Sequence, residues 1–312
     1  MRALVTGGAG FIGHHLVRAL LAGGHEVVVI DDLSTGNRSR LLGPWGDVTF
    51  IEGDVRDRDA VREAVQGCEV VYHEAALPSV ARSVLDPRAS NDVNTNGTIE
   101  VMLAASAAGV RRVVVAGSSS IYGQTPELPR RETQRPDPRS PYAASKLAAE
   151  HYTHTLGAFH GVETVVLRYF NIFGPGQDPN SEYAAVVPRF VTAALRGEPP
   201  TIHGDGMQSR DFTYIDNVIS ANLLAADAPG VSGLTANVGC GGRYDLLELL
   251  SLIEAAVGHP LEPVHLPPRQ GDVPHSQADI SVASERLSYR IVVPFEEGVR
   301  RTVDWYRSSM HG

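Results

Sequence analysis

The segment 7-GGAGFIG-13 leaves this chain few ways to fold. Gly7, Gly10 and Gly13 stand three residues apart, directly after the apolar run 3–5 and directly before a helical stretch at 14–21. A strand that turns so sharply into a helix needs Gly7 for the turn. It needs Gly10 where a pyrophosphate approaches the backbone, and Gly13 where helix and strand pack closely. Eighteen residues beyond Gly13, Asp31 follows the buried run 26–30, at the place where a carboxylate accepts hydrogen bonds from an adenosine ribose.

The same alternation continues. Residues 48–51, 69–73 and 112–116 read as strands, and 57–65 and 98–108 as helices. Strands alternating with helices predict an α/β fold: a Rossmann-type, mostly parallel sheet with helices on both faces. A helix at 143–159, a strand at 163–167 and a loop at 169–179 extend it. Beyond residue 172 the pattern loosens into helices near 186–195, 213–225 and 246–256, set between loops rich in Gly and Pro. We therefore expect residues 1–171 to form mainly the dinucleotide-binding domain. Residues 172–312 should form mainly a smaller α/β substrate lobe, with a returning segment at about 212–245 that completes the first domain. A cleft should run between them.

Charge limits the partners. With 36 acidic and 27 basic side chains the net charge is −9, which argues against a nucleic-acid or anionic-membrane binder. A phosphate-bearing small ligand stays compatible, because a helix N-terminus holds such a charge locally. No run reaches the roughly 18 apolar residues of a membrane span, and the glycine motif opens the sequence, so a cytoplasmic protein is expected. Cys68 and Cys240 lie outside any CxxC pair or histidine cluster, so neither a disulfide scaffold nor a metal site is expected.

Asp31 also selects the cofactor. Its charge repels a ribose 2′-phosphate and no arginine directly follows it, which favours NAD over NADP, although Arg38, close in sequence, argues the other way. Phe11 and Ile12 share the glycine turn, and Asp32 follows Asp31. Asp54 and Val55 end the third strand beside the expected adenine. Ala75 and Ala76 are small residues where the chain passes close to the dinucleotide.

The strongest chemical signal is 140-SPYAASK-146. Tyr142 and Lys146, four residues apart on a helix, share one face. An ammonium and a positive nicotinamide ring together stabilise phenolate and bring a phenol with a pKa of about 10 toward the working pH. The serines of 117-GSSSIYG-123 end the fifth strand, pointing into the region where parallel sheets bind ligands.

Taken together, the glycine motif, Asp31, the serine strand end and Tyr142-xxx-Lys146 resemble an extended short-chain dehydrogenase/reductase. With 94-NTNGT-98, 168-RYFNIFGPGQDPN-180, 203-HGDGMQSRDFTYIDNV-218 and 269-RQGDV-273 the resemblance is to the nucleotide-sugar 4-epimerase branch, over essentially the whole chain. The resemblance implies that Tyr142 removes the proton of the sugar 4-hydroxyl while NAD takes the C4 hydride, giving a 4-keto intermediate that turns and is reduced on its other face. It implies that Ser118 and Ser120 hydrogen-bond near the reacting oxygen and that Lys146 binds the nicotinamide ribose. Asn94 and Tyr169 would help seat NAD. Asn171, Arg210 and Arg269 would meet the substrate, the arginines at its diphosphate, and Asp272 would accept from the uridine ribose. The substrate class implied is a UDP-hexose, and the assembly a homodimer through the apolar faces of 99–103 and 144–152.

Other reactions on this framework fit less well. A dehydratase needs an acid–base pair where this chain has Ser119 and Ser120, and a uronate decarboxylase usually carries a glutamate at the position of Ser120. A net reductase would draw on NADPH, which Asp31 opposes. A protein that held NAD without turnover would have no need of Tyr142 and Lys146. In the family a bulky residue at the position of Ser276 excludes N-acetylated sugars, so Ser276 leaves room for an acetamido group without rejecting UDP-glucose.

Overall fold

The computed structural model describes residues 1–43, 46–179, 185–268 and 274–310. Strands β1 (Arg2–Thr6), β2 (Glu26–Asp31), β3 (Val48–Glu52), β4 (Val70–His73), β5 (Arg112–Ser118) and β6 (Glu163–Tyr169) alternate with helices. Those helices are α1 (Phe11–Ala22), α2 (Arg58–Val65), α3 (Val80–Leu85), α4 (Pro87–Asn91), α5 (Gly97–Ala107) and α6 (Pro141–His160). β4 and β5 are buried along their whole length, as parallel strands covered on both faces must be.

The rest of the chain is made of shorter pieces. In order they are β7 (Ile172–Phe173), α7 (Val186–Arg196), β8 (Thr201–His203), β9 (Ser209–Arg210), β10 (Thr213–Tyr214), α8 (Ile215–Asp227) and β11 (Leu234–Val238). β12 (Tyr244–Asp245), α9 (Leu246–Val257), β13 (Val264–Leu266), α10 (Ser281–Leu287) and α11 (Phe295–Met310) complete them. β7 pairs with β10, β8 with β13 and β9 with β12. β11 instead joins the main sheet beside β6, which makes a seven-stranded order β3-β2-β1-β4-β5-β6-β11 with every pairing parallel.

The strand order reverses between β1 and β4, and a crevice opens there at the carboxyl ends of the strands. Register fixes what faces it. Ser118 at the end of β5 lies directly opposite Tyr169 at the end of β6. Behind them, Arg168 forms a buried ion pair with Glu150 of α6 at 2.6 Å and donates to Tyr122 Oη at 2.7 Å. Tyr122 Oη donates in turn to Asn237 Oδ1 of β11 at 2.6 Å. This network ties the ends of β5, β6 and β11 into one unit, and every buried polar atom in that chain of contacts has a partner.

α6 is a well-specified helix. Ser140 caps it by accepting from the Ala143 N–H at 3.1 Å, Pro141 occupies its first position, and Gly161 closes it in a left-handed conformation.

Candidate active site

The glycine turn between β1 and α1 brings backbone against backbone. Gly7 has φ +67° and a Cβ there would stand 2.8 Å from the Ala75 Cα; at Gly13 a Cβ would run into the Gly7 carbonyl oxygen. The first turn of α1 holds no acidic side chain, and Gly10 at its N-cap offers none to its N–H groups. Those donors and the positive helix end form an anion-binding surface. Asp31 Oδ2 accepts from the Ala9 N–H at 2.9 Å and Oδ1 from the Leu33 N–H at 2.8 Å. Burial raises its pKa while these two bonds lower it. The carboxylate is thus locked at the end of β2, facing the crevice. Asp54 is held below the ordinary carboxylate range by its hydrogen bonds with Arg56.

A cavity of about 830 Å³ starts at this turn and reaches the shorter elements that follow β6. Its wall gathers Gly7, Gly10, Phe11, Ile12, Gly13, Asp31, Asp32, Asp54, Val55, Ala75 and Ala76 at one end. At the other it gathers Ser118, Ser120, Tyr142, Lys146, Tyr169, Asn171, Arg210 and Ser276. A second cavity of about 280 Å³ continues past Asn171 and Arg210 and is walled by Arg189, His203, Phe212 and Leu246. Arg269 and Asp272 lie outside the described residues.

One expected cofactor residue does not reach the cavity. Asn94 is buried behind it, where its Oδ1 accepts from the Leu77 N–H at 2.8 Å and its Nδ2 donates to Ser145 Oγ at 3.0 Å. Both ends of the amide are committed, so Asn94 braces the loop after β4 against the helix that carries Lys146. Arg38 is not the arginine near Asp31 either. Its guanidinium stacks over the Phe50 ring at 4.7 Å, while Arg40 lines the cavity with Nη2 donating to the Gly176 carbonyl at 2.9 Å.

Around the reacting centre, Ser118 Oγ and Ser120 Oγ are 2.8 Å apart. Ser118 acts on the Tyr142 phenol to lower its pKa, but burial is the larger effect and raises it. The expected depression of Tyr142 is therefore not produced by the protein's own groups. Burial also pushes the Lys146 ammonium down to about 8, opposed by the charge of Glu74. Glu74 is pushed up to about 7 by burial, against the effects of Tyr169 and Lys146.

Sequence reasoning missed Glu74 and Arg189. A signal for Glu74 was present: an acid directly after a fully buried strand, at the carboxyl end where ligands bind. Arg189, on the amphipathic helix α7, had none.

Comparison with known proteins gives a consistent answer. The profile of the NAD dependent epimerase/dehydratase family matches residues 3–239. A UDP-glucose 4-epimerase of Mycolicibacterium smegmatis is 40% identical over 312 residues, covering 99% of each chain. The crystal structure of a UDP-glucose 4-epimerase with UDP-glucose from Thermotoga maritima superposes with a TM-score of 0.95 at 36% identity, covering 99% of this chain and 100% of that one. A UDP-N-acetylglucosamine 4-epimerase from Methanobrevibacter ruminantium, in complex with UDP-N-acetylmuramic acid, gives a TM-score of 0.94 at 38% identity, covering 99% of each.

Proposed function

We propose that this chain, which belongs to the NAD dependent epimerase/dehydratase family, reversibly inverts C4 of a UDP-hexose through a 4-keto intermediate. One observation carries the reading. Tyr142 and Lys146 share a face of α6, and both open, with Ser118, into the cavity that begins at the glycine turn.

The residues present fit NAD. The side-chain-free approach of Gly7 and Gly13, the uncapped first turn of α1 and the locked carboxylate of Asp31 match a diphosphate and an adenosine ribose. When bound, NAD supplies an acceptor and then a donor of hydride for the sugar carbon. Tyr142 takes the proton of the 4-hydroxyl and later returns it. Ser118 hydrogen-bonds the same oxygen, with Ser120 behind it as a relay. Lys146 lends a positive charge to the phenolate. Arg210 and Asn171 stand where the two cavities meet, which supports a diphosphate there. The family resemblance assigns Arg269 to the diphosphate and Asp272 to the uridine ribose as well. Serines at 119 and 120 leave a dehydratase without the acid–base pair it needs at those positions.

The small side chain of Ser276, hydrogen-bonded by Asn171 Nδ2 at 3.1 Å, supports acceptance of both N-acetylated and plain hexoses. We read residues 1–171, with the returning segment at about 212–245, as the cofactor domain and the remainder as the substrate lobe. Leu103 and Tyr152, 39% and 45% exposed on α5 and α6, support a homodimer through those helices. Among the described residues no helix is long and apolar enough to cross a membrane, and we take the protein to be cytoplasmic.

The test is direct. Purified protein is incubated with UDP-glucose and with UDP-N-acetylglucosamine, each deuterated at C4, and the product sugars are resolved. The 4-epimer should form with its deuterium retained and without added reductant. Tyr142→Phe should keep NAD and lose roughly 10²–10⁴-fold in turnover. Label washing into solvent, or near-normal turnover by the variant, would overturn the assignment.

A further inference from the structure

Lys146 is the only lysine in the 312 residues, against a background of arginines. Its ammonium is buried, and no hydrogen bond or ion pair holds it among the described residues. Glu74 opens into the same cavity, with Oε2 buried and unpartnered. An ammonium and a carboxylate on one cavity wall act on each other even without touching, each favouring the charged form of the other.

The other oxygen of Glu74 is held by a directional chain. Asn222 Nδ2 donates to Tyr169 Oη at 2.8 Å and to the Val218 carbonyl at 2.9 Å. A carbonyl only accepts, so the amide nitrogen is correctly placed there and the tyrosine oxygen receives its proton. Tyr169 must then give its own proton to Glu74 Oε1, at 2.7 Å. A carboxylate that receives a donor is favoured in its charged form.

We propose that Glu74 is a positioning residue that keeps Lys146 charged in the buried site, and that Tyr169 and Asn222 keep Glu74 charged in turn. The groups that act on Glu74 are Tyr169 from β6 and Lys146 from α6; His73 precedes it on β4, and Tyr142 lines the same cavity. His73 contributes no charge near neutrality, since burial lowers it to about 3 and its two ring nitrogens meet Thr6 and Thr98. Burial drives the carboxyl up and the ammonium down, so each depends on the other for its charge at neutral pH. The catalytic meaning of a charged Lys146 rests on the epimerase reading; its protonation does not.

A single lysine makes the measurement unambiguous. The NAD-loaded protein is labelled with 13C-lysine and the one Cε signal is followed from pH 6 to 11. Glu74→Gln preserves shape and the acceptor for Tyr169 but removes the charge. Its Lys146 midpoint should fall by about one pH unit, a tenfold loss of the charged form on the alkaline side. Tyr169→Phe, which lets Glu74 take up a proton, should lower the midpoint by less. Should Glu74→Gln not fold, Tyr169→Phe alone decides, and an unmoved midpoint there refutes the proposal. A folded, NAD-retaining Glu74→Gln with an unmoved or raised midpoint refutes it as well. Turnover of UDP-glucose measured in parallel should lose its alkaline limb by the same shift. If the signal moves while neither protein turns over any UDP-hexose, the role of Glu74 stands and the epimerase reading falls.

Discussion

The backbone N–H of Tyr142 donates to Ser83 Oγ at 3.0 Å. The donor is one of the first-turn N–H groups that α6 cannot satisfy itself. A fully buried hydroxyl on α3 therefore fixes the turn that carries the reacting phenol. Ser83→Ala leaves that N–H unpaired, at a cost of about 1–2 kcal/mol. Turnover should fall roughly tenfold through misplacement of Tyr142, with a smaller change in KM. Steady-state kinetics alongside denaturant unfolding check both, and an unchanged kcat would remove Ser83 from the account.

Ser276 offers a test of substrate width. Ser276→Tyr fills the space next to Asn171 and should lower turnover of UDP-N-acetylglucosamine by tenfold or more relative to UDP-glucose. Equal losses on both sugars would place the acetamido group elsewhere.

Acid stability follows from buried histidines. His14 and His73 are lowered to about 3 and His15 to about 4, chiefly by burial, and His154 is lowered as well. Folded, they stay neutral; unfolded, they bind protons below about pH 6.5, so their contribution is lost as pH falls from there. Glu74 and Asp211 act oppositely, since burial raises them to about 7 and about 6 and the folded state binds their protons first. Asp31, Glu132 and Asp216 are raised by burial as well and join these two acids. On acidification from neutral pH the histidines of an unfolded chain titrate ahead of its carboxyls, so stability should fall as pH drops from 7 toward 6. Urea titrations at pH 7 and 6 measure this directly, and a stability that rose on acidification between them would contradict it.

Assembly is testable at α5. Leu103→Glu puts a charge on the proposed dimer face, at a residue that is not part of the cavity wall. Light scattering should report twice the chain mass for the natural protein and the single chain mass for the variant, with NAD retained by both.

What was legible in the sequence was local. Gly7, Gly13 and Asp31 belong to one strand–turn–helix–strand unit, and Tyr142 and Lys146 are a helical turn apart, so spacing alone carries their geometry. The contacts that spacing does not encode were missed or misread. Tyr169 meets Glu74 across 95 positions and Asn222 across 53. Asn94, which the family resemblance places at the cofactor, meets Ser145 51 positions away, a contact that its motif does not encode. The arginine near Asp31 is Arg40, because the short helix Arg38–Leu41 turns Arg38 out toward Phe50. β11 escaped notice as a strand of its own because Thr235 and Asn237 interrupt its apolar run.

The pairing of Ser118 with Tyr169 across β5 and β6 sets how such a site can change over generations. Side chains alternate between the two faces of a strand, so one residue inserted in β5 would turn Ser118 away from the crevice and bring its neighbour in. Point substitutions at the strand ends leave that alternation intact. Diversification of this protein should therefore proceed by exchanging side chains at fixed positions of the main sheet. Insertions and deletions should collect in connections among the shorter elements after β6, such as 197–199 and 258–263, which lie outside any strand pairing.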